Sequence, residues 1–107
     1  MTTFTPGSWT VSDNHGKRYI EPVGDNEPVA MICRGHDDAY SANADLVAAA
    51  PELFKALDDL FTDMLIAQGN MRDAAKHDHR WEGCADEIQP RIDAARAALA
   101  NAKREAQ

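Results

Sequence analysis

From Leu53 onward, apolar side chains return at steps of three and four residues, through Phe54, Leu57, Leu60, Phe61, Met64, Leu65 and Met71, while Lys55, Asp58, Asp59, Thr62 and Asp63 fill the opposite side. This period matches the turn of an α-helix, so it predicts a long amphipathic helix that Gly69 and Asn70 weaken but that continues to Lys76. Pro51 carries no amide hydrogen and disfavours helical ψ at Ala50. It therefore either kinks one continuous helix or opens a new one, and Glu52 beside it suits a helix N-terminus. Ahead of it, the alanine-rich stretch from Ala39 to Ala49 predicts a short helix, with Asp37 or Asp38 as N-cap and Ala44, Val47 and Ala48 turned inward.

Residues before this point follow a different rhythm: short runs rich in β-formers, each closed by a turn signal. Trp9–Ser12, Lys17–Glu21 and Pro28–Arg34 are the predicted strands. Asp13, Asn14, His15 and Gly16 suit a hairpin turn between the first two, and Pro22, Gly24, Asp25 and Asn26 end the second. Alternation puts Val29, Met31 and Cys33 on one face of the last strand and Ala30, Ile32 and Arg34 on the other. Towards the C-terminus, the polar run from Lys76 to Gly83 predicts a connector. A final helix starts between Glu82 and Pro90, with a narrow, mostly alanine stripe at Ile88, Ile92, Ala95, Leu99 and Ala102. The expected fold is α+β: a small N-terminal antiparallel sheet of about three strands, then a long antiparallel helical hairpin. As one domain this divides into a sheet region at 1–37, a kinked helix at 38–76, a connector at 77–83 and a C-terminal helix at 84–106.

A chain of 107 residues makes one domain with a modest core, burying roughly 60 to 70% of its surface on folding. A two-helix hairpin beside a thin sheet leaves an apolar stripe to cover, which points to a homo-oligomer. Seven acidic and three basic side chains in residues 1–50, with eleven and eight in the remainder, spread the net charge of −7 over both halves. Such a surface repels phosphate backbones and anionic lipid, so neither direct nucleic-acid binding nor membrane binding is expected. With two cysteines, no leader and no run of eighteen apolar residues, the expected location is the cytoplasm, with reduced thiols.

Candidate chemistry is sparse. Cys33 and His36 with His77, His79 and Cys84 offer metal-binding side chains, but their spacing fits no common zinc module. Asp37–Asp38 and Asp58–Asp59 are adjacent pairs whose members point apart, which suits capping and solvation better than shared acid–base work. No phosphate loop, nucleophile elbow or paired-histidine metal motif occurs. The chain therefore reads as a non-enzyme that needs no cofactor. The residues with binding potential are Trp9, placed to cover the sheet edge against a helix; Asn43, read as a buried amide in an alanine tract that must find partners, either as a brace to the sheet's backbone or as a contact to something bound; and the cations Arg34, Arg91 and Arg96. Arg91 and Arg96 stand about 140° apart on a helix and form no single patch.

Two segments resemble a family of small bacteriophage and prophage proteins. Its members open with a Thr-Pro-Gly-Pro-Trp-like element and carry an Asn-Ala-x-Leu-Ile-Ala-Ala-Ala-Pro-Glu-Leu-Leu-x-Ala-Leu-like block. Here these read Thr5-Pro-Gly-Ser-Trp9, with Ser8 in place of the proline, and Asn43 through Leu57. The layout is also similar to that of phage Thoeris anti-defence sponges, multimers that sequester cyclic nucleotide immune signals. The resemblance implies a counter-defence protein acting by non-catalytic binding in the host cytoplasm. In the sponge form Arg34 would be the cation, Asn43 the amide reader and Trp9 the stacking face for a cyclic nucleotide, with Arg91 or Arg96 from a neighbouring subunit. The alternatives are a protein–protein inhibitor of a host immune effector, such as a CRISPR complex, and a phage structural or accessory protein.

Overall fold

The computed structural model describes residues 4–14, 17–25, 27–32 and 38–103. Three strands, β1 (Trp9–Asn14), β2 (Lys17–Pro22) and β3 (Ala30–Ile32), are followed by helices α1 (Asp38–Ala48), α2 (Ala50–Ala75) and α3 (Glu82–Lys103), with a short 3-10 turn at His79–Trp81. The fold class is α+β. Contacts group the chain into two compact units, residues 3–54 and residues 55–107.

In the first unit the strands form an antiparallel sheet in the order β1-β2-β3. Val11 pairs with Ile20 and Ile20 with Ala30, so these side chains share one face, and Trp9, Arg18, Pro22 and Ile32 share it by alternation. Helix α1 packs on this face, touching all three strands. Ile20 and Ala44 are both fully enclosed. Arg18 ties strand to helix, its Nη1 donating to Ser41 Oγ at 2.7 Å while Nε meets Asp13 at 3.2 Å. Met31, on the opposite face, is 43% exposed.

β2 ends in a turn whose chemistry is visible in the chain. The amide of Asp25 donates to the Pro22 carbonyl at 3.1 Å, and Gly24 takes φ +86 at the third position, as a type II turn requires. β3 is shorter than Pro28–Arg34: Pro28 cannot donate to a ladder and the strand begins at Ala30. Cys33, Arg34 and the N-cap candidate Asp37 lie outside the described residues.

Pro51 separates two helices. α1 ends at Ala48, Ala49 is a turn, and buried Pro51 stands in the first turn of α2. The missing donor costs little there, because first-turn amides have no helical acceptor. Near the chain's other end Pro90 lies inside α3. That helix starts at Glu82, the earliest position of the expected range from Glu82 to Pro90, and the 3-10 turn runs directly into it.

In the second unit α2 and α3 run antiparallel. Gln68 is buried, and its Nε2 donates to the Ala85 carbonyl at 3.0 Å and to Gln89 Oε1 at 2.8 Å. Gln89 Nε2 passes on to Asp93 at 2.9 Å, and Arg96 reaches the same carboxylate at 3.3 Å while its guanidinium lies 5.4 Å from the Phe61 ring centre. Ala85, Ile92 and Leu99 are the buried positions of α3, all on one side of the helix.

Two glycines give opposite expected outcomes. An added Cβ meets nothing within 4 Å at either Gly24 or Gly69. Gly24→Ala therefore destabilises by about 1 kcal/mol through its positive φ alone, whereas Gly69→Ala, inside α2, stabilises by about 0.5–1 kcal/mol; urea unfolding followed by circular dichroism checks both signs. By the same measurement Gln68→Ala costs about 1–3 kcal/mol, since it strips a buried donor from a paired network.

Candidate binding grooves

Each unit carries a groove. In the sheet unit, Trp9, Thr10 and Val11 of β1 line an open groove of about 400 Å³ with Asp45, Ala48, Ala49 and Glu52. Three successive β1 residues contribute, inward- and outward-pointing alike, so the groove follows the edge of β1 that no other described strand covers. The hydrogen-bonding pattern agrees. The Val23 amide donates to the Ser8 carbonyl at 2.9 Å, which makes residues 8, 10, 12 and 14 the ones bonded to β2 and turns the amides and carbonyls of Trp9, Val11 and Asp13 outward. Trp9 is held in place: its Nε1 donates to the Thr5 carbonyl at 3.2 Å and its ring meets Phe4 edge-on at 6.3 Å, with Phe4 in turn edge-on to Phe54 at 5.0 Å. Alanines at 48 and 49 leave the groove its depth, and Asp45 and Glu52 make its helical wall acidic.

The hairpin groove encloses about 250 Å³ between Leu57, Leu60, Phe61 and Met64 of α2 and Arg91, Ile92 and Ala95 of α3. The two helices thus present unlike sides. One is tied across by Gln68, Gln89, Asp93 and Arg96 and by the Arg72–Asp86 pair at 3.4 Å. The other is this apolar groove.

These positions redistribute the sequence-derived candidates. Trp9 stands at a sheet edge against a helix. Asn43 is exposed on α1, which corrects its reading as a buried amide in need of partners. Arg34 lies outside the described residues. Arg91 and Arg96 belong to the hairpin unit, and Arg96 is already engaged by Asp93 and Phe61. Neither carboxylate of the Trp9 groove stood among the candidates; Asp45, two residues beyond Asn43 and a turn before Ala48 and Ala49, was the available signal.

The connector holds the densest polar chemistry. Asp78 caps the 3-10 turn by accepting from the Arg80 amide at 3.1 Å and pairs with the Arg80 guanidinium at 2.6 Å. Those side-chain bonds first, and the backbone bond second, hold the Asp78 carboxyl below its ordinary range, and the same pair raises Arg80. Exposed Cys84 approaches the Arg80 carbonyl at 3.9 Å. Among the described residues no three of His, Cys, Asp and Glu converge as a metal site, and no helix is long and apolar enough to cross a membrane.

This is a small phage protein. It belongs to the family of Salmonella phage P22 protein Y8K6, whose model matches residues 1–106. No curated protein and no solved structure gives a match.

The lowered carboxyl of Asp78 sets a pH dependence. A depressed folded-state value means the cap is fully present above the ordinary aspartate range and is lost only as pH falls through the lower, folded value. In an NMR titration the Arg80 amide signal should hold steady through the range where free aspartate titrates and move below it; movement centred on the ordinary aspartate value would contradict the pairing.

Proposed function

We propose that this phage protein is a counter-defence factor that binds a host protein at the Trp9 groove, taking an extended, cation-bearing segment along the free edge of β1. The single observation that carries this reading is the pairing of an open strand edge with two carboxylates. Edge amides and carbonyls at Trp9, Val11 and Asp13 offer main-chain bonds to an added strand. Asp45 and Glu52 then favour lysine or arginine on that strand, and Trp9 offers a face to its alkyl stem or guanidinium. Phage membership and a broadly acidic chain agree with occlusion of a basic surface on a host effector.

The same carboxylates weigh against sequestration of a cyclic nucleotide at Trp9, because phosphate entering there meets like charge. The hairpin groove is bordered by Arg91, which makes no ion pair among the described residues, but its 250 Å³ falls below the roughly 300–1,000 Å³ of ordinary small-molecule sites. The protein-binding alternative is thus favoured over the sponge.

Titration of the full chain with an extended peptide alternating lysine and valine should protect the Val11 and Asp13 amides from exchange and shift the Trp9 indole signal. Asp45→Lys with Glu52→Lys should weaken that binding at least 10-fold and, in host cells carrying an immune system, remove any protection the wild-type protein gives to infecting phage. Calorimetric heat with cyclic dinucleotides or cyclic ADP-ribose isomers, retained in the double variant, overturns the reading in favour of a signal sponge.

A further inference from the structure

The hairpin groove differs from the Trp9 groove in its apolar lining. We infer that it is the seat of a second copy of this chain, joined through a two-fold interface in which Arg91 of each protomer pairs with Asp63 of the other.

Three observations lead there. The first is the asymmetry of the hairpin: one side is closed by polar bonds across the helices, while on the other Leu60 is 58% exposed at the lip of an apolar groove. Both stripes that border the groove have coiled-coil spacing. On α2 it runs Leu57, Leu60, Met64, Ala67, Met71, and on α3 Ile88, Ile92, Ala95, Leu99, each alternating steps of three and four. A two-helix layer with that spacing is half of a four-helix bundle.

Charge supplies the second. Arg91 lines the groove on α3, and Asp63 lies one turn on from Leu60 at the outer rim of α2. Both are exposed, and among the described residues neither makes an ion pair, although most other cations near the helices do. Within the hairpin Arg91 stands level with residues about 64–66, given that Gln68 meets Ala85 and Gln89 and that Phe61 meets Arg96. A two-fold axis parallel to the helices lays α3 of one copy over α2 of the other at the same level, bringing Arg91 to the other copy's Asp63. An isologous contact makes the pair twice.

The third is area. From 57 to 75, α2 extends about 28 Å, and two helices are about 20 Å wide. That footprint of about 560 Å² grows with side-chain relief towards the roughly 800 Å² per partner of a stable interface. Alanines at 94, 95, 98 and 102 on α3 permit the close helix approach that such packing needs.

Sedimentation velocity of the full chain tests this. At tens of micromolar the expected species has twice the mass of the 11.7 kDa chain. Leu60→Glu, at a position already exposed, should leave the helical circular dichroism intact and convert the protein to monomer. Asp63→Arg and Arg91→Asp should each weaken the dimer at least 10-fold, and the two together should restore it. A monomeric wild type, or a dimer indifferent to Leu60→Glu, overturns the proposal; a dimer that Leu60→Glu breaks but that charge reversal leaves unchanged overturns the Arg91–Asp63 pairing. None of these variants touches the Trp9 groove, so peptide binding there succeeds or fails independently.

Discussion

Large enclosed side chains are scarce among the described residues of this protein, and that scarcity governs how it is held together. Each unit is organised around one fully enclosed isoleucine with an enclosed alanine, Ile20 with Ala44 in the first and Ile92 with Ala85 in the second. Burying an isoleucine contributes about 1.5–3 kcal/mol, and an alanine contributes little beyond letting backbones come close. Few such residues are available to offset the entropy of ordering two long helices. Polar bonds therefore take on the task of selecting one arrangement: Arg18 to Ser41 between sheet and α1, and Gln68 to Ala85 and Gln89 between α2 and α3.

The elements were legible where a local rule is strong. Period fixes α2, β-formers bounded by turn residues fix β1 and β2, and Pro51 marks the break between α1 and α2. Less legible was anything decided by contact between distant segments. Asn43 looked like a buried amide because its neighbours are alanines, yet alanine is as common on an exposed helix face as on an inner one, and the helix turns it to solvent. Gln68 is the reverse case. A glutamine in a helix ordinarily belongs outside, and the acceptors across the hairpin, the Ala85 carbonyl seventeen residues away and Gln89 Oε1, make its burial favourable. Arg96 was recognised as a cation but not as one spent on Asp93 and Phe61.

Two surfaces of opposite character result. The Trp9 groove combines an unpaired strand edge with carboxylates, so what enters must bring hydrogen-bonding backbone and positive charge. The hairpin groove is apolar, with one arginine at its border, so what enters must bring aliphatic bulk and a carboxylate. The chain itself offers the second combination, in Leu60 and Asp63, and lacks the first as an extended basic run. On the two proposals made above, the hairpin groove takes a second copy of the chain and the Trp9 groove takes a host protein.

The buried amide of Gln68 has a further effect. Sliding α3 along α2 by a single turn would carry the Ala85 carbonyl and Gln89 Oε1 about 5 Å away and break both bonds of the amide. Intermediate offsets are worse, because they rotate the stripes out of line. The hairpin accordingly behaves like a toothed rack with one engaged notch: Leu60, Met64, Arg91 and Ala95 come level together, and the surface they compose is inherited from the polar ties of Gln68 and Arg72 near the far end.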